Sequence, residues 1–112
     1  MSLLLEQGRS RLEADDRQLL VTGVVSFAEA SAMAEAGRVW LADQPADSEV
    51  AFDLRGVGRV SSAALSVLLE WTRQARDAGV NVSAVYLSAP LERLTRVAEL
   101  DTLLPLAESD VA

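Results

Sequence analysis

Val50-Ala51-Phe52-Asp53-Leu54, the connection Arg55-Gly56-Val57-Gly58-Arg59-Val60, the pair Ser61-Ser62 and the run from Ala63 to Ala78 together decide the fold class. The first five residues are mostly apolar and are followed by a glycine-containing connection, which reads as a buried strand. From Ala63 the period becomes that of a helix. Ala64, Leu65, Leu68, Leu69, Thr72 and Ala75 fall on one face, and Gly79 ends the run in the manner of a helix C-terminus. Val80-Asn81-Val82-Ser83-Ala84-Val85-Tyr86-Leu87 then alternates as a strand does.

The flanks continue this alternation. Downstream, Ser88-Ala89-Pro90 opens a last helix through about Glu99, with Leu91, Leu94 and Ala98 inward. Upstream, Ser26-Phe27-Ala28-Glu29 is a Ser-x-x-Glu capping box, in which hydroxyl and carboxylate each satisfy an amide at a helix start. The spacing predicts a helix from Phe27 to Leu41 with Phe27, Ala30, Ala34, Gly37 and Leu41 on one face. Most of these side chains are small, so the helix can sit close on a sheet. Gln44-Pro45-Ala46-Asp47-Ser48 ends it. Before it, Arg11-Leu12-Glu13 and Gln18-Leu19-Leu20-Val21-Thr22-Gly23-Val24 flank the turn-like Ala14-Asp15-Asp16-Arg17, an opening hairpin. The order β-β-α-β-α-β-α implies an α/β fold, with a mixed β-sheet and helices packed mainly on one face.

A chain of 112 residues, half of them apolar, suits one domain with one core. The expectation is a single domain over residues 1–112 with its core at about 11–106. The formal charge is −7, and no basic patch stands out, which argues against nucleic acid or an anionic membrane surface as a partner. There is no Cys and no His, so thiolate and imidazole metal sites, cysteine nucleophiles and His-based triads are excluded. Gly56-Val57-Gly58 lacks the third glycine of a dinucleotide loop, and no phosphate-binding Gly-x4-Gly-Lys motif exists, so the chain is not expected to hydrolyse ATP alone. No cofactor and no metal are expected. Met1-Ser2-Leu3-Leu4-Leu5-Glu6 has neither a basic start nor a long apolar run, so no secretory signal is expected there. The longest apolar stretches, Leu19–Val25 and Ala63–Leu69, are far short of a bilayer span, which leads to the expectation of a soluble, cytoplasmic protein.

The run from Asp53 through Ser61-Ser62-Ala63-Ala64-Leu65 to Leu69 resembles the central signature of STAS domains. In that family a strand ending Asp-Leu-Ser-x-Val leads to Asp-[Ser/Thr]-[Ser/Gly]-Gly-Leu at a helix start. Ala75-Arg76-Asp77-Ala78-Gly79-Val80-Asn81-Val82 and the segment from Leu91 to Leu106 are similar to it too, so the likeness covers nearly everything from about Leu12 onward. The short form with Arg59-Val60 before the signature most resembles the MlaB-type group. That resemblance implies a non-enzymatic, cytoplasmic accessory subunit that binds and regulates the ATPase of an Mla-type ABC transporter. Such a system traffics phospholipid between the two membranes and maintains outer-membrane lipid asymmetry, and the subunit reaches the inner membrane only through its partners. The alternative within the family is an anti-sigma-factor antagonist, switched by phosphorylation of the signature hydroxyl. Position for position that hydroxyl is Ser62, the candidate phosphosite. Ser61 stands where the family has an acidic residue and Ala64 where it has glycine, which argues against the phosphoswitch.

Ser62 has a physical reading of its own. A hydroxyl at a helix N-terminus can cap the helix, accept a partner's donor or hold a phosphate at the positive end of the dipole. Capping alone is the simpler role for Ser61 or Ser62. Val67 and Trp71, four residues apart, form a row beside the core stripe, and Ser66, Glu70, Arg73, Gln74 and Asp77 lie on the far side. Trp71 either closes the edge of the core or stands half exposed as a docking anchor, a role for which tryptophan is enriched. The expected partner-binding set is therefore Arg59, Ser61, Ser62, Ala63, Val67 and Trp71. Asp53, at a strand end, reads as an acceptor for amides of the following loop that can also tune Ser62. Asp15-Asp16 and Glu49 read as solvated charge.

Overall fold

The computed structural model describes residues 2–58, 62–99 and 104. The elements run β1 (Ser2–Gln7), β2 (Ser10–Asp15), β3 (Gln18–Gly23), α1 (Phe27–Ala42), β4 (Glu49–Val57), α2 (Ser62–Asp77), β5 (Asn81–Leu87) and α3 (Ala89–Val97). The strands form one sheet in the order β1-β2-β3-β4-β5. Tight turns reverse the chain, so β1, β2 and β3 pair antiparallel. Helical crossovers return it to the starting end, so β3, β4 and β5 pair parallel. The fold is the expected α/β arrangement on a mixed sheet.

Two strands differ from the sequence reading. β1 was not expected, because Leu3-Leu4-Leu5 is a short run without alternation. It pairs along β2 with a register shift between Leu3 and Leu5, and no residue of it is fully buried. β4 continues beyond Leu54 to Val57, through residues read as a connection. Gly56 pairs with Thr22 and Val57 with Gly23. A side chain at Gly56 would put its Cβ 2.7 Å from Thr22 Cγ2, so close approach of β3 explains a glycine inside a strand.

One face of the sheet builds the core. Leu12, Leu19, Val21, Val50, Phe52, Leu54 and Val85 are buried on it, while the intervening Arg11, Ala51 and Asp53 turn the other way. Phe52 meets Trp71 of α2 with ring centroids 5.4 Å apart and planes at 55°, which places the helix layer on that face. α1 lies beside α2. The indole Nε1–H of Trp71 donates to the Ala34 carbonyl at 3.2 Å, and a Cβ on Gly37 would fall 2.2 Å from the same nitrogen. Gly37 thus makes room for the indole.

This packing corrects two expectations. Val67 and Trp71 are 3% and 0% exposed, so of the two readings of Trp71 the one that closes the core holds, and the Val67–Trp71 row is turned to neighbours within the chain instead of forming a docking ridge; Ala63, also expected to meet a partner, is 1% exposed. In α1, Met33, Gly37 and Leu41 are buried as a periodic stripe, but Phe27 is 78% exposed instead of inward. It occupies the first turn, ahead of the stretch of α1 that packs on α2. The capping box is present: the Glu29 carboxylate accepts from the Ser26 amide at 2.9 Å and from the Ser26 hydroxyl. These bonds from Ser26, hydroxyl and then amide, hold the Glu29 carboxyl below its ordinary range. In α3, Leu91 is buried as read and Ala98 is exposed. Thr95 is buried in its place, its hydroxyl donating to the Leu91 carbonyl at 2.8 Å.

Candidate functional site

Because β3, β4 and β5 run parallel, the helices that follow them all begin at one end of the sheet. Ser62 is the first residue of α2 at that end and is exposed. Its carbonyl accepts the Ser66 hydroxyl at 3.0 Å. No acidic residue sits in the first turn of α2, so nothing in that turn neutralises the positive end of its dipole. Of the six residues expected to meet a partner, Arg59 and Ser61 lie outside the described residues. Ala63, Val67 and Trp71 are buried, as given above, and Ser62 is the one on the surface among the described residues of the set.

The remaining surface beside Ser62 was only partly legible in the sequence. An open groove of about 410 Å³ runs between α1 and α2. Ala30, Ala34 and Val67 form its apolar floor; Ser31, Glu35 and Arg38 of α1 and Ser66 and Glu70 of α2 form its walls. The far-side placement of Ser66 and Glu70 follows from the helical period, but the α1 wall does not. Its signal was the small-residue spacing Ala30, Ala34, Gly37, which marks a close helix contact and hence a neighbouring groove.

The charges on the walls are already paired within their own helices. Arg38 Nε donates to Glu35 at 2.9 Å, and Arg73 donates to Glu70 at 3.1 Å. The Arg38 bond lowers the Glu35 carboxyl and raises the guanidinium. Both pairs are well exposed, so each contributes little to stability and can be exchanged for a partner's charge at small cost.

Asp53 belongs elsewhere. Its neighbours in register are Leu20 and Tyr86, and it sits on the sheet face away from the helices. It accepts the Arg55 amide at 3.0 Å, so the amide-acceptor reading applies to the next strand residue but one rather than to the loop. The Arg55 guanidinium bonds the same carboxylate at 3.1 and 2.8 Å and lies 4.8 Å from the Tyr86 ring centroid. Burial alone would raise the Asp53 carboxyl, but these bonds outweigh it and hold the group below its ordinary range. Asp15, Asp16 and Glu49 are exposed, as read. Among the described residues no three carboxylates gather into a metal-binding group, and no helix is long and apolar enough to cross a membrane.

The crystal structure of an anti-sigma factor antagonist from Mycobacterium paratuberculosis superposes on this fold with a TM-score of 0.67. The two are 23% identical, and the match covers 90% of this chain and 86% of that one. At that identity the likeness concerns the fold. No curated protein matches the sequence. Residues 9–105 match the family described as "Mlab, STAS domain", and the chain belongs to that family.

Proposed function

We propose that the chain is a non-enzymatic accessory subunit that docks, through the surface around Ser62, on the ATPase of an ABC transporter for phospholipid. The observation that carries this reading is the Mlab-type STAS family membership over residues 9–105. The geometry supports it. The α2 start presents the exposed hydroxyl of Ser62, with no acidic residue in the first turn to repel a partner's carboxylate. A subunit of this kind acts by binding one conformation of the ATPase better than another, since a partner shifts an equilibrium only through differential affinity. Removing it lowers transport.

The second reading is a phosphorylation-switched anti-sigma-factor antagonist. Exposure of Ser62 favours it, because a kinase needs access to the hydroxyl. Against it stand Ser61 and Ala64 in place of the signature acid and glycine. Calorimetric titration of the purified chain into a purified phospholipid-transporter ATPase tests the first reading. The expected result is a saturable 1:1 complex with micromolar or tighter affinity, and no hydrolysis by the chain alone. Absence of heat and of complex on gel filtration overturns it.

A further inference from the structure

Among the described residues β1 and β5 form the two edges of the sheet, and they are fastened very differently. β5 buries Val85, and the Ser83 hydroxyl donates across to the Val50 carbonyl at 3.1 Å. β1 buries no residue fully. Leu4 and Leu5 rest partly on the core, Leu3 is 51% exposed, and the register with β2 slips between Leu3 and Leu5. An irregularity of this kind disrupts the ladder where it falls. The Arg11–Glu6 ion pair between the two strands is 3.6 Å long with both partners well exposed, so it adds little.

The turn that joins β1 to β2 is held firmly. Ser10 is buried, and its hydroxyl donates to the Gln7 carbonyl at 3.0 Å. The Arg9 carbonyl accepts the Val24 amide at 3.0 Å, and the Glu29 carboxylate bonds the Arg9 backbone. Gly8, at φ 58°, lies so near that a Cβ there would fall 2.3 Å from Glu29 Oε1. β2 is fastened by its own side chains, with Ser10, Leu12 and Ala14 buried along it, and by its full pairing with β3. The free energy at which a segment opens locally follows the apolar contacts and bonds that it loses. Ser2–Glu6 loses few of either, whereas the turn and β2 keep theirs. We infer that the segment from Ser2 to Glu6 is a strap that swings off β2 about the fixed turn Gln7–Ser10 while the rest of the fold stays intact, and that its opening uncovers the outer edge of β2. The closed strap guards that edge, since unpaired N–H and C=O groups on a rigid strand are a template for a foreign strand. Its opening equilibrium therefore sets how often the edge is available. This device is independent of the proposed docking at Ser62.

The test is native-state hydrogen exchange of the full chain, read amide by amide by NMR at urea concentrations below the unfolding transition. Amides bonded between β1 and β2 are expected to be about a hundredfold less protected than those bonded between β3 and β4. Their exchange is expected to change little with urea, because opening the strap exposes little surface, whereas the β3–β4 amides follow the steep dependence of global unfolding. Amides bonded between β2 and β3 are expected to behave like those between β3 and β4. Equal protection and equal urea dependence from β1 to β4 overturns the strap. Loss of protection shared by the β1–β2 and β2–β3 amides overturns the fixed hinge, since the whole hairpin would then open as one.

Discussion

Ser62 and Asp53 are the two side chains about which the residue scale says most. A phosphate on Ser62 adds about −1.5 to −2 charges at the proposed docking surface, and the favourable helix-dipole contribution is opposed by desolvation once a partner covers it. Ser62→Ala is therefore expected to bind the ATPase slightly less well, and Ser62→Glu or Ser62→Arg much less well, with circular dichroism unchanged in all three. The protein from its native host is expected to show no stoichiometric phosphate by intact mass. A phosphorylated species localised to Ser62 and varying with growth condition would favour the anti-sigma switch instead. Asp53 makes a pH prediction. Its folded pKa lies below the unfolded value, so its stabilisation is complete above the ordinary carboxylate range, near pH 4, and is lost as pH falls through the lower folded pKa. Asp53→Asn should thus lower the melting temperature at neutral pH and flatten its acid limb. Some slope remains from Glu29 and Glu35, whose carboxyls are also lowered. A parallel acid limb in wild type and variant would show that the Arg55 pairing contributes nothing.

The helix pair is where sequence and structure part. Periodicity located α1, α2 and α3 to within a residue or two, and the Ser26 capping box marked the start of α1 correctly. It placed Ala64, Leu68 and Ala75 inward, as found. What a single helix's pattern does not carry is how wide its buried face is, because that depends on what lies alongside. Val67 and Trp71 read as a lateral ridge only while α1 is ignored, and Gly37 and Ala34 bring α1 close enough to cover the indole. Phe27 is the reverse case: in phase with the core stripe but one turn too early to reach α2. β1 escaped because an edge strand with little buried surface imposes little alternation. The interface account of Trp71 has a direct test. Trp71→Ala should destabilise the fold by about 3–5 kcal/mol, the usual cost of emptying a large aromatic site. Among variants that remain folded, ATPase affinity should be unchanged. Weakened binding at full thermal stability would return Trp71 to the surface.

At the scale of the whole molecule, a mixed sheet sets three helix starts at one end, and among the described residues the helices lie on one face of it. The proposed docking surface lies at the α2 start on that end, and family membership turns it into a specific expectation about its partner. The most direct measurement is recovery of the tagged chain from its native host at endogenous level, with mass-spectrometric identification and quantification of what accompanies it. The expected result is an ABC-transporter ATPase in equimolar amount, with the permease behind it, retained by the wild type and lost from Ser62→Arg. Recovery of an anti-sigma kinase in equimolar amount, with no transporter ATPase, would contradict the account.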